Sequence, residues 1–163
     1  MQDYDENEDL TSKLVATFIV DDRLYGLTTD LVREVVRIGE ITPVHHAPDF
    51  IMGIMNLRGR IVTIIDLGKK IGLNQIEIGQ HSRIFIAEWQ QEQIGLLVDK
   101  VGEVVPFDEA DLLPVPENMP TFQAATLKGV FHSDKTLIGL LSLDAILDEK
   151  VEDRLGHGEA GSR

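Results

Sequence analysis

No cysteine occurs anywhere in this 163-residue chain. That one absence removes disulfides, thiol nucleophiles and thiolate metal sites together. Long apolar runs are missing as well: no stretch approaches the roughly 18 residues that a membrane-spanning helix requires. The N-terminus is acidic rather than basic, unlike an export signal, so the expectation is a soluble cytoplasmic protein. Positive charge is scarce. Lys and Arg number 15 against 28 Asp and Glu, and the net charge of −13 repels phosphate backbones and anionic membrane surfaces. Aromatic residues are few: Trp89, Tyr4, Tyr25 and six Phe, with no basic groove to set them in. A β-barrel binding single-stranded nucleic acid, which needs both, stays as the alternative reading.

Catalytic machinery is equally hard to find. Ser12, Ser82, Ser133, Ser142 and Ser162 stand in no nucleophile-elbow context, and no phosphate-binding loop, H-E-x-x-H or G-x-G-x-x-G occurs. His45-His46 is the one histidine pair, and neighbours in an extended segment point to opposite faces, so they make a poor metal site without a third ligand. Asp66 and Asp99 follow strands, but the alternating βα units of a receiver fold are absent. The expectation is a protein that is not an enzyme and takes no cofactor and no metal.

What remains is a binding protein with a proper core, since 43% of residues are apolar. Asp3, Asp5, Glu6, Glu8 and Asp9 crowd the first nine residues, leaving about −8 for the rest. Residues 1–9 and 156–163 read as polar, mobile ends. The chain is organised around Met52-Gly-Ile-Met-Asn-Leu-Arg-Gly-Arg-Ile-Val-Thr-Ile-Ile-Asp-Leu67. Ile61–Ile65 is β-branched throughout and uncharged, which predicts a strand covered on both faces. Leu57-Arg58-Gly59-Arg60 is turn chemistry, with Gly59 free to take a positive φ, and Gly53–Leu57 reads as the other strand of a hairpin. Arg58 thus stands at the tip of an anchored turn beside Ile54, Met55 and Leu57. Phe50 and Ile54 read as core; Met55 and Arg58 read as surface.

Elsewhere, Lys13–Val20 and Leu24–Leu27 predict a hairpin about Asp21-Asp22-Arg23. Thr29 or Asp30 is placed to cap a short helix with Leu31, Val32, Val35 and Val36 on one side. A further strand runs over Ile41–Val44 between proline stops, and Asp66 caps a helical turn at 67–71. Ser142 caps a last helix to Glu149, with Leu143, Ile146 and Leu147 on one face. Leu112-Leu-Pro-Val-Pro-Glu-Asn-Met-Pro-Thr-Phe122 is a proline-stiffened loop holding Met119 and Phe122.

The two halves repeat. Tyr25–Val36 lies over Ile94–Val105 with Gly, Leu, Asp, Val, Glu, Val and Val in register; Thr17–Val20 matches Ile84–Ala87; Gly53–Leu67 matches Gly129–Leu143. A series of short strands occurring twice predicts two β-barrels of similar design sharing an apolar interface. The seam is placed near Gly79–Ser82. The copies differ at one turn: Asn56-Leu-Arg-Gly59 in the first becomes His132-Ser-Asp-Lys135 in the second. By itself the turn would leave Arg58 an ordinary solvated residue. Since the fold accepts either turn, the asymmetry shifts the expectation for Arg58 from a solvated turn residue toward a binding residue.

Asn56-Leu-Arg-Gly59 before an apolar strand and Asp66-Leu67 resembles the signature of the CheW family of chemotaxis coupling proteins. The resemblance extends through Tyr25-Gly26, Glu34-Val35, Pro48-Asp-Phe-Ile-Met-Gly53 and Gly95-Leu-Leu-Val-Asp99, roughly Leu14 to Leu147. It implies a mainly β fold: two SH3-like five-stranded β-barrels packed on a shared hydrophobic core, with short helices and a C-terminal helix. The divisions expected are an acidic arm over 1–12, a first barrel over 13–80, a second over 81–143, and a helix and tail over 144–163. It also implies a non-catalytic adaptor between the cytoplasmic tip of methyl-accepting chemoreceptors and the regulatory domain of the histidine kinase CheA, in a motility or another chemosensory pathway. Matched to the family's receptor-facing positions are Val32, Glu34, Gly53 and Arg58, with Met55, Met119 and Phe122 as further contact candidates.

Overall fold

The computed structural model describes residues 12–148. The acidic arm before residue 12 and the tail from 149 lie outside the described residues. Among the described residues eleven strands form: β1 (Ser12–Val20), β2 (Arg23–Thr28), β3 (Val32–Val36), β4 (Ile41–Thr42), β5 (Ile51–Leu57), β6 (Arg60–Asp66), β7 (Arg83–Trp89), β8 (Glu92–Val98), β9 (Lys100–Asp108), β10 (Leu127–Ser133) and β11 (Thr136–Leu141). Three short helices join them, α1 (Leu67–Lys70), α2 (Thr121–Ala124) and α3 (Leu143–Leu147).

The strands make two sheets, the two SH3-like barrels, in the orders β10-β11-β2-β1-β9 and β3-β7-β8-β6-β5-β4. One sheet has five strands as expected; the other has six, because the two-residue β4 pairs with β5. Neither sheet belongs to one half of the sequence. Strands β3 to β8 form a barrel that is continuous from 32 to 98. Strands β1 and β2 join β9, β10 and β11 to form the other, wrapped around that insert in the chain. The division into 13–80 and 81–143 therefore separates the repeats, not the barrels.

Linker length explains the exchange. To stay in its own copy's sheet, β3 would lie against β1 and parallel to β2, which takes a crossover of about a dozen residues. Only Thr29–Leu31, a 3-10 turn, separates β2 from β3, and only Asp99 separates β8 from β9. Each third strand is delivered to the other copy's first hairpin instead, β3 onto β7 and β9 onto β1, both antiparallel.

This corrects the helix expected after Thr29 or Asp30. Val32–Val36 is a strand with alternating burial, as its valines favour. The predicted strand at Ile41–Val44 ends at Thr42, before Pro43. The apolar run of β6 is covered on both faces only from Val62 onward, with Ile64 and Ile65 buried, while Ile61 projects into solvent at 60% exposure. Asp66 and Ser142 do cap α1 and α3, accepting the amides of Lys69 and Ala145 at 3.1 Å each.

The core is shared. One cluster joins Ala16, Phe18, Val20, Tyr25 and Leu27 of the outer barrel to Val62, Ile64, Ile84, Ile86 and Leu96 of the insert barrel, with Leu143, Ile146 and Leu147 of α3. Phe18 and Phe85 meet across it with ring centroids 4.9 Å apart. A smaller cluster of Val15, Phe107, Phe131, Ile138 and Leu140 fills the outer barrel alone. Strand β1 is the wall between them: Val15 faces one cluster, and Ala16, Phe18 and Val20 face the other.

Candidate functional site

Strand β3 and the β5–β6 hairpin position the residues singled out by sequence. The hairpin pairs Leu57 with Arg60 and leaves a two-residue tip. Arg58 and Gly59 have φ of 51° and 86°, the mark of a type I′ turn, whose hand suits the twist of the flanking strands. Glycine was expected to take the positive φ; Arg58 takes one too. From the tip, the Arg58 guanidinium donates to the Glu34 carboxylate on β3. This ion pair links β3, at one end of the insert barrel's strand order, to the β5–β6 hairpin, which lies beyond β7 and β8 in that order. The Arg58 side chain stays 67% exposed and that of Glu34 35%. Such a pair adds roughly 0–1 kcal/mol, so its weight lies in aiming a half-free donor fork outward.

Glu34 owes its aim to a register shift in β3, between Val32 opposite Ala87 and Glu34 opposite Ile86. Arg33, the residue between them, pairs with Glu88 on β7. Val32 is half-buried against the shared core. Gly53 is buried with φ of 146°, and a Cβ there would collide with the Thr42 carbonyl of β4. Gly129 in the outer barrel stands in the same relation to the Leu113 carbonyl. Gly53 therefore shapes the barrel and presents no surface of its own.

Met55 corrects the sequence reading. It is 4% exposed, packed in the shared core, with its sulfur 3.3 Å from the Gly39 amide nitrogen. Its place opposite Val62 turns it inward. Phe50 and Ile54, read as core, are half-buried, and the Lys70 ammonium lies 3.9 Å from the centre of the Phe50 ring. Phe122 is partly exposed and packs over Gly72, where a Cβ would strike its ring; next to it, Gln123 Nε2 donates to the Gly72 carbonyl at 3.2 Å. Met119 is half-buried in the loop that leads into α2. Phe122 and Gln123 tie α2 to the turn after α1, apart from the Glu34–Arg58 pair.

Sequence reading missed the exposed apolar rim. Leu14 (51% exposed), Val101 (38%) and Val104 (57%) share the face of β1 and β9 on which Ala16 and Phe18 pack against the insert barrel, because Val104 pairs with Ala16 and Val101 with Phe18. On β3, Val35 (41%) stands opposite Phe85 on the corresponding face. β1 touches the 3-10 turn that leads into β3, and Lys13 near its start pairs with Glu109 at 3.0 Å, which raises the lysine's pKa, with the charge of Asp30 in that turn adding a little. The clue was present in the repeat, where Val35 and Val104 occupy matching places.

Asp66 anchors the base of the hairpin. It is 2% exposed, and beyond its cap on Lys69 it accepts the Ile76 amide at 3.1 Å. Burial pushes its carboxyl above the usual carboxylate range, against the pull of those amides. His45 and His46 have ring centroids 6.5 Å apart on an exposed loop, and among the described residues no group of three or more His, Asp or Glu is placed to hold a metal ion. No helix of the described residues is long and apolar enough to cross a membrane.

A double SH3-like barrel, with an outward-aimed charged hairpin tip and an apolar rim between barrels, defines an interaction module. Comparison with known proteins gives the family. The CheW-like domain model matches residues 14–151, so the chain belongs to the CheW-like domain family, and its role is that of a chemotaxis coupling adaptor. It is similar to the chemotaxis protein CheW of Rhizobium meliloti, 30% identical over 136 residues that cover 83% of this chain and 88% of that one. It is likewise 31% identical over 137 residues to the chemotaxis protein CheW of Thermotoga maritima, covering 83% and 87%. The solved structure of the scaffolding protein TtCheW from Thermoanaerobacter tengcongensis is similar with a TM-score of 0.76 and 37% identity, over 83% of this chain and 92% of that one.

Proposed function

We propose that this chain works in the cytoplasm as a non-catalytic coupler, holding the cytoplasmic tip of a methyl-accepting chemoreceptor and the regulatory domain of the histidine kinase CheA. The observation that carries the receptor half is the Glu34–Arg58 pair, fixed at a rigid tip in one barrel and replaced by Glu103 and Asp134 at the matching places in the other. The receptor surface comprises Arg58, Glu34 and Val32 with the rim of Leu14, Val35 and Val104. Gly53 supports it from behind. An amphipathic helix pair suits such a surface: its apolar stripe meets the rim, and the charged tip sets its register.

Arg58→Ala tests the reading. The fold should persist, with stability lowered by no more than about 1 kcal/mol for an exposed pair. Binding to a receptor-tip fragment should weaken roughly tenfold or more, and Arg58→Lys should recover only part of that. Binding to the kinase regulatory domain, titrated in parallel, should change much less. Unchanged receptor affinity in the folded variant returns Arg58 to an ordinary turn residue.

A further inference from the structure

We propose that Asn56 is the positioning residue of the Arg58 tip: its side-chain oxygen closes the turn and so aims the guanidinium at Glu34, without itself meeting a partner. The inference rests on the reading that Arg58 faces a partner. In a two-residue hairpin loop the flanking residues, here Leu57 and Arg60, carry the last pairing of the ladder. The amide of the second loop residue is left over. Asn56 Oδ1 accepts it, the Gly59 N–H, at 2.8 Å. Asn56 itself is exposed, so core packing does not hold its side chain there.

The bond acts on a residue that needs holding. Arg58 sits at φ of 51°, in the left-handed region that disfavours any side chain with a Cβ. Gly59 meets no neighbour within 4 Å where its own Cβ would stand, so packing at that residue does not hold the turn. Without the Asn56 bond the tip can pass to other turn types, which carry Arg58 away from Glu34. The outer barrel offers the contrast. Its tip residue Asp134 has φ of 55°, His132 fills the place of Asn56, and no side-chain hydrogen bond among the described residues closes that turn. The closing bond occurs in the barrel where the tip side chain is also paired.

Two substitutions in the full chain test this. Asn56→Ala removes the acceptor; Asn56→Asp keeps an oxygen for the Gly59 amide but loses the side-chain N–H donors. Positioning predicts that Asn56→Ala speeds hydrogen exchange at Gly59 and weakens receptor-tip binding roughly fivefold, about the worth of one hydrogen bond. Asn56→Asp should restore both. Because the aspartate adds a charge, the titrations are repeated at high salt, where exposed charges are screened. Binding as weak in Asn56→Asp as in Asn56→Ala at both salt concentrations overturns the proposal in favour of direct contact through the amide donors. Unchanged Gly59 exchange in Asn56→Ala overturns it as well, since the bond would then not hold the turn. Failure of the functional reading is separable: it appears as unchanged receptor affinity in Arg58→Ala, whereas Gly59 exchange reports on the turn regardless.

Discussion

The two barrels are close to copies, and the tips of their matching hairpins show what each position is for. Arg58 and Asp134 both take a positive φ near 50° in two-residue loops. Gly53 and Gly129 both let the backbone of a neighbouring segment approach. Asp66 and Ser142 both cap the helix that follows. In these respects the fold requires the same device twice. The chemistry at the tips diverges: the insert barrel pairs Glu34 with Arg58, while the repeat places Glu103 and Asp134, two acids, at the corresponding positions. What the copies share belongs to the fold, and what separates them is, on the proposed reading, where a partner is met.

The largest effect is expected where the copies agree. Gly53→Ala and Gly129→Ala each drive a Cβ into the carbonyl of the adjoining segment, of Thr42 and Leu113 respectively. Backbone cannot step aside as a flexible side chain can, so each should cost about 3 kcal/mol or more in urea or thermal unfolding. Gly53→Ala should be the worse of the two, because its φ of 146° adds backbone strain. Undiminished stability in Gly53→Ala together with lost receptor binding would break the comparison and make Gly53 a contact residue.

That comparison was only partly legible beforehand. Repeat register and the β-branched run identified the barrels, the central hairpin and the caps, because each rests on short-range chemistry. Membership of the barrels was harder to see. It depends on the linkers at Thr29–Leu31 and Asp99, whose shortness forbids a crossover, and β3 reads as a helix because Leu31, Val32, Val35 and Val36 satisfy helical spacing, while the β-branching of its three valines favours a strand. Nearness to Arg58 in the sequence points to a surface place for Met55; strand alternation turns it inward, to 4% exposure. The rim of Leu14, Val101 and Val104 could not be read locally, since their exposure is set by how far the insert barrel covers the β1–β9 face.

A smaller effect on stability, confined to binding, should appear where the copies differ. Arg58→Asp gives the insert barrel the tip residue of the outer barrel, while Asp134→Arg does the reverse. Both sites are exposed hairpin tips, so neither should lower stability by more than about 1 kcal/mol. Arg58→Asp should weaken receptor-tip binding by about 2 kcal/mol, since it removes a cation and sets an acid beside Glu34. Asp134→Arg should leave that binding unchanged. Equal shifts of opposite sign from the two substitutions, which change the net charge in opposite directions, would mean that overall charge, rather than the insert barrel's tip, governs the association.

The finest distinction between the copies lies in their caps, one a carboxylate and the other a hydroxyl. Burial raises the Asp66 carboxyl above its ordinary 3.8, and the amides of Lys69 and Ile76 only partly offset this. The folded chain therefore holds the Asp66 proton at pH values where the unfolded chain has released it. Stability from this group falls as pH rises through the window between 3.8 and the raised folded value, then stays level above it. Ser142 carries no titrating group, so the matching cap in the outer barrel contributes no such slope. The check is a difference curve, unfolding free energy of the parent minus that of Asp66→Asn across mildly acidic pH, which cancels the many other carboxylates. Asp66→Asn loses one amide bond at every pH and shifts the curve by a constant. The remaining pH dependence should favour the parent as pH falls through that window. A difference curve that instead rises with pH would mean that the amides at Lys69 and Ile76 outweigh burial and hold Asp66 as a stabilised anion.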